Sequence, residues 1–177
     1  DLGWGPEILE AAMTYLSHLF GASLSKLLAE HGEQMTTYAR HFAELGQDSK
    51  ATDFVHSLEV AGRMYSTLGP LLEKYDVLIC PTTALPAVPA DHDQSKDEVR
   101  INDRIVNPSL GWVMTTPFNT MSRCPVLSVP SGFAKNGVPT GIQIVGRTYD
   151  DVMPFRIGAA AERELGWWGD PSWRPTA

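Results

Sequence analysis

The chain has 177 residues, 43% of them hydrophobic and 20% charged, an ordinary globular balance for one domain. Twenty-one acidic residues against fourteen basic ones leave a net charge of −7 and a pI near 5.1, which argues against the basic face of a nucleic-acid binder. No apolar run approaches the roughly 18 residues that span a bilayer, and the start lacks a signal-peptide layout. Two cysteines, Cys80 and Cys124, are too few for a disulfide framework and lack metal-ligand spacing, which points to a reducing, cytoplasmic location.

Residues 1–75 read as helical. Pro6 suits a first helical turn, and Ile8, Ala12, Leu16 and Phe20 recur every four residues, with Leu9 and Leu19 widening the stripe. Gly21 is expected to bend this helix, and Leu24, Leu27 and Leu28 carry an apolar face towards Gly32. A second stripe runs through Met35, Tyr38, Phe42 and Leu45, with Gly46 placed to stop it. Asp53 reads as the N-cap of a longer helix that buries Phe54, Leu58, Ala61, Tyr65, Leu68 and Leu72, and Gly69-Pro70 should kink or divide it.

The period then changes. Val77-Leu78-Ile79-Cys80, ended by Pro81, suits a fully buried strand. Residues 82–89 are proline-rich and irregular, and 91–104 hold eight charges, which reads as a solvated loop. Val126 to Phe133 reads as a strand interrupted by Pro130 and Gly132. Asn136-Gly137 signals a hairpin, because both residues accept positive φ, and Gly141 to Gly146 is the returning strand. Asp150 or Asp151 caps a last helix, with Pro154 in its first turn, Ile157, Ala161 and Leu165 on one face, and Gly166 at its end. Several helices around at least three strands predict an α/β domain with a mixed sheet covered by helices.

A search for a complete catalytic set comes back empty. His18, His31, His41, His56 and His92 form no metal-ligand pattern, so no metal and no cofactor are expected. Ser128 and Ser131 lack the glycine spacing of a nucleophile elbow, and Cys124 reads as a small buried residue.

The distinctive segments are YDVLICPTTALPAVP at 75–89 and TTPFNTMSRCPVLSVPSGFAKNGVPTGIQIVGRTYDD at 115–151. The strand ending in Pro81-Thr82-Thr83, the Pro117-Phe118-Asn119 stretch, Pro125 followed by SVPSGF, and the Pro139, Gly141, Gln143, Gly146 spacing together resemble the C-terminal part of the amidase signature family. That family includes glutamyl-tRNA amidotransferase A subunits, fatty-acid amide hydrolases and bacterial aryl-acylamidases.

The resemblance covers about residues 52–166 and implies a serine amidohydrolase with a Ser–cis-Ser–Lys triad and an acyl-enzyme. The triad belongs to the family's N-terminal half, and none of Lys26, Lys50, Lys74, Lys96 and Lys135 sits in the required context. No catalytic residue is therefore expected here. The chain, which opens at Asp1, reads as the C-terminal portion of a single amidase-signature domain and as inactive alone. Its layout is expected to be helical over 1–75, sheet and substrate-pocket portion over 76–166, and a tail over 167–177. The implied partners are the N-terminal half, as a separate chain or the remainder of this one, a small-molecule amide, and further copies in a homo-oligomer of the complete enzyme. Neither nucleic acid nor membrane is implied.

What this portion would contribute is a pocket wall. Ligands of open α/β sheets sit beyond strand carboxyl ends, where Pro81, Thr82 and Thr83 leave the sheet, although these residues equally suit a rigid loop exit. Aligning Asn119 with the family's asparagine puts Trp112 where glutamyl-tRNA enzymes are similar but carry an acidic, substrate-reading residue. An indole there favours an apolar or aryl amide over glutamine, unless Trp112 is simply core. Met114 and Phe118 extend that apolar wall, and Asn119 suits holding backbone better than substrate. Two other readings stay open: a non-catalytic binding or scaffold module of amidase-like fold, and a glutamine-dependent amidotransferase component.

Overall fold

The structure, a computed structural model, describes residues 2–94, 96–166 and 169–171. The expected tail over 167–177 lies outside them except for 169–171. In chain order come α1 (Glu7–Leu16), a π-turn (Ser17–Gly21), α2 (Ala22–His31), a short 3-10 turn (Gly32–Gln34), α3 (Thr37–Gln47) and α4 (Ala51–Leu72). Then follow β1 (Val77–Pro81), β2 (Val99–Ile101), β3 (Arg104–Val106), α5 (Thr116–Met121), β4 (Val126–Phe133), β5 (Pro139–Gly146) and α6 (Val152–Leu165). The α/β class is as expected. The main sheet runs β1-β5-β4, and both of its pairings are antiparallel. Among the described residues no helix is long and apolar enough to cross a membrane.

Register and pleat place Leu78, Cys80, Gln143 and Val145 on one face of this sheet. Against it pack Ile8 and Ala11 of α1, Val60, Ala61, Met64, Leu68 and Leu72 of α4, and Phe118 and Met121 of α5, forming one core cluster. Helix α6 covers the other face. Its Gly158 lies over Leu127 and Val129 of β4, where a Cβ would collide with the Leu127 side chain. Central strand β5 is thereby sealed on both faces, with Ile144 and Val145 fully buried.

Several expectations are corrected. Strand β1 is not fully buried: it is an edge strand, α6 does not reach it, and Ile79 is 51% exposed. Ile144 is on the central strand β5, whereas Cys80 and Val126 lie on the flanking strands β1 and β4. The stripe through Phe20 breaks because the π-turn inserts an extra residue, which rotates Leu19 and Phe20 outward and turns Ser17 and Gly21 inward. Gly46 does not stop α3. It lies inside the helix, where a Cβ would collide with the Gly21 backbone, so the two glycines permit a direct backbone crossing.

Helix α4 starts at Ala51, which puts Asp53 in its first turn rather than at the cap. It passes undivided through Gly69-Pro70 and ends two residues later, at Leu72, although Pro70 cannot donate to the Ser66 carbonyl. Its buried face is set by Ser57, Val60, Ala61, Met64, Leu68 and Leu72, and Leu58 points out. The charged segment holds the β2-β3 hairpin. Asn102 and Asp103 both adopt positive φ (49° and 64°), the turn geometry that suits a twisted two-residue hairpin. The second hairpin and the ends of α6 follow the sequence reading: Gly137 has φ 81°, Asp150 Oδ1 accepts from Met153 N at 3.2 Å, and Gly166 ends α6 with φ 62°. The buried face of α6 is instead set by Pro154 and Gly158, and Leu165 is exposed, because α6 sits on the sheet through Gly158.

Candidate functional site

Beyond β1 the chain does not leave as a free loop. Thr82 donates both its N–H (3.1 Å) and its Oγ1 hydroxyl (3.0 Å) to the Gly141 carbonyl, which pins the exit to β5. The next residues form a short antiparallel ladder with 112–114. Met114 N donates to Thr82 O at 3.0 Å, Ala84 N donates to Trp112 O at 2.8 Å, and Thr83 pairs with Val113.

The 107–114 segment is itself folded by local bonds. Asn107 Oδ1 accepts from the N–H groups of Ser109 and Leu110, both at 2.9 Å, an Asx-type turn. A Cβ on Gly111 would collide with the Asn107 backbone, so the chain doubles back only with glycine there. The Pro108 carbonyl accepts from Trp112 Nε1 and from His92 Nε2, both at 3.2 Å. His92 Nδ1 lies 3.7 Å from the Asp97 carboxylate, which ties the charged loop to this wall.

Gln143 joins the two wall segments from beneath. Its side chain is 0% exposed, and Nε2 donates to the carbonyls of Pro81 and Met114, both at 2.9 Å. Two carbonyl acceptors around one atom identify that atom as nitrogen, because an oxygen there would face two like dipoles. Oε1 is buried and has no hydrogen-bond donor among the described residues.

Above this frame lies an apolar cleft of about 590 Å³. One wall is Leu78 and Cys80 of β1 with Val113, Met114 and Phe118, and the other is the N-terminal segment, chiefly Leu2, Trp4 and Ile8. Trp4 is fixed by donating Nε1–H to Thr67 Oγ1 at 3.0 Å and by a tilted ring contact with Phe118, centroids 5.9 Å apart. Among the described residues no charged side chain lines the cleft. Burial raises the Cys80 thiol pKa, partly offset by its contact with the Gln143 side chain, so this sulfur is a neutral lining group rather than a nucleophile. Burial likewise raises Cys124, which is half-buried, with a smaller opposing contribution from Thr148.

The seven residues singled out from sequence separate into two groups and one outlier. Met114 and Phe118 line the cleft together. Pro81, Thr82, Thr83 and Trp112 form its frame, the Trp112 indole N–H being committed to Pro108. Asn119 sits exposed on α5, and its backbone carbonyl accepts from Ser122 Oγ at 2.6 Å. Sequence reasoning missed the N-terminal wall, Gln143 as a clamp, and Asn107 with Gly111. Only the last pair had a readable signal, an Asx turn in NPSLG.

A family model described as Amidase matches residues 10–154. The chain is 28% identical over 169 residues to a fatty acid amide hydrolase of Medicago truncatula, covering 91% of this chain and 26% of that protein. It is 37% identical over 100 residues to the glutamyl-tRNA(Gln) amidotransferase A subunit of Brevibacillus brevis, covering 56% and 19%. Its fold matches a bacterial aryl acylamidase of the amidase signature enzymes with a TM-score of 0.79 at 23% identity, covering 99% of this chain and 38% of that one. The chain thus spans about a fifth to a quarter of the length of these two curated relatives. With most of its length under one family model, and the sheet and helices superposing on an amidase, the chain belongs to the amidase signature family.

Proposed function

We propose that this chain is the C-terminal, pocket-wall portion of an amidohydrolase that cleaves the C–N bond of an uncharged carboxamide, with an apolar or aryl group held in the cleft. The supporting observation is that no described residue brings a charged side chain to the cleft lining. An uncharged apolar group gains there about 25 cal/mol for each Å² removed from water, whereas a zwitterionic amino acid such as glutamine would lose hydration without compensation. Met114 and Phe118 face the substrate, Pro81, Thr82, Thr83 and Trp112 frame the wall, and Asn119 lies on the exposed side of α5.

The reacting groups come from a part of the enzyme outside these residues. A lysine acts through a bridging serine to take the proton of the nucleophilic serine, whose oxygen attacks the amide carbonyl. The C–N bond breaks, the amine leaves with a proton, and water hydrolyses the ester. Exposed Val126, on flanking strand β4, then lies where that part docks.

The test is to assay this chain alone and together with the triad-bearing part on acetanilide-type amides and on glutamine. Aryl-amide turnover only in the combined sample is the expected result. Met114 is 36% exposed, so Met114→Asp leaves stability nearly unchanged while lowering kcat/KM on the aryl amide by about tenfold. Binding without turnover would indicate a non-catalytic module, and ammonia release from glutamine with transfer to a second substrate would indicate an amidotransferase.

A further inference from the structure

We infer that Gln143 is the positioning residue that sets the geometry of the cleft wall, by holding the β1 exit and the 112–114 segment at a fixed separation through one side-chain amide. The inference rests on reading the cleft as the substrate site. Three observations carry it. The residue is completely buried on the central strand, which is sealed on both faces and so supplies a rigid base. Both Nε2 hydrogens are committed, at 2.9 Å each, to backbone carbonyls of the two wall segments rather than to its own neighbours in sequence. Those carbonyls belong to Pro81, next to cleft-lining Cys80, and to Met114, itself a lining residue. A shift at either carbonyl therefore moves the lining directly.

Position 143 tolerates no other polar residue of this size. A carboxylate would face two carbonyl oxygens, and a protonated carboxyl could satisfy only one of them. Cys80, its pairing partner on β1, is the titratable group beside it. A methionine fills similar volume and donates nothing.

The experiment uses the full chain and needs no turnover. Amide hydrogen exchange is followed at Met114 and Ala84, whose N–H groups close the ladder, and in α4 as an internal reference. Binding of N-phenyl-1-naphthylamine, an uncharged aryl probe, reports the cleft. In Gln143→Met, exchange at Met114 and Ala84 is expected to accelerate at least tenfold with α4 unchanged, and probe binding to weaken about fivefold. Gln143→Glu, whose buried carboxyl pKa is raised, should behave the same way where the carboxyl is ionised and recover part of the protection at lower pH, where a protonated carboxyl donates one bond. Gln143→Met shows no such recovery.

Exchange within twofold of the parent chain in both variants overturns the inference. Acceleration in α4 by the same factor also overturns it, since the residue would then be merely structural, and so does unchanged probe binding despite faster local exchange. Failure of the parent chain to bind the probe, with local exchange still accelerated in the variants, removes the substrate reading and leaves the clamp standing.

Discussion

At the scale of single residues, the cysteines show how burial alone decides a role. Among the described residues no cation or helix N-terminus favours a thiolate at Cys80 or Cys124, and desolvation raises both thiols. A pKa raised by folding means that the folded chain holds the proton more tightly than the unfolded one. The resulting stabilisation is present below the unfolded thiol pKa and is lost as pH rises through the folded value. Urea midpoints should therefore fall above about pH 9, and a Cys80→Ser, Cys124→Ser double variant should lose that share of the decline. In the same pH range, iodoacetamide labelling should accelerate in the folded chain, and at pH 7.5 it should be slower than in urea.

Among the elements, the crossing of the π-turn with α3 has the least tolerance. A methyl group on Gly46 would collide with the backbone of Gly21 and Ala22, neither of which can rotate away. Gly46→Ala should cost about 2–3 kcal/mol through overpacking. Gly62, exposed in the middle of α4 with nothing within 4 Å of an added Cβ, is the matched control. Gly62→Ala should stabilise by about 0.5–1 kcal/mol, because alanine loses less backbone freedom in a helix. Opposite signs for one chemical change, read from urea unfolding of the two variants, would locate the constraint in the crossing. Equal effects would remove it. The flanking strands β1 and β4 show the complementary feature, tolerance at exposed positions: Ile79 and Val126, on opposite faces of the sheet, are apolar and half in water.

For the whole molecule, exposed apolar surface on flanking strand β4 ties stability to assembly. Val126 is 40% exposed on flanking strand β4, so Val126→Lys should change the stability of the isolated chain by no more than about 0.5 kcal/mol. In the presence of the triad-bearing part the same substitution should weaken recombination by at least about tenfold, because a charge is then buried without a partner. Titration calorimetry of the parent chain and of Val126→Lys separates the outcomes, and equal affinities would place the docking surface elsewhere. A net charge of −7 should also keep the unassembled chain from self-associating at neutral pH, a tendency that salt weakens.

The amino-acid sequence by itself determined the order and type of most elements. Hydrophobic period, Asn136-Gly137, Gly166 and the Asp150 cap act through bonds between near neighbours, and the motifs from Pro81 to Gly146 carried the family. The family resemblance also put Met114 and Phe118 on one apolar wall, and both line the cleft. Tertiary structure decided everything that depends on which surfaces meet. The stripe through Phe20 failed because a π-turn rotates it. Gly46 proved to be a contact rather than a stop, and Ile79 was left in water because α6 covers only part of the sheet. The second wall of the cleft, from Leu2 to Ile8, and the Gln143 clamp join residues 29 to more than 60 positions apart in the chain. No local periodicity encodes such a pairing: it exists only once packing against the sheet has brought the segments together.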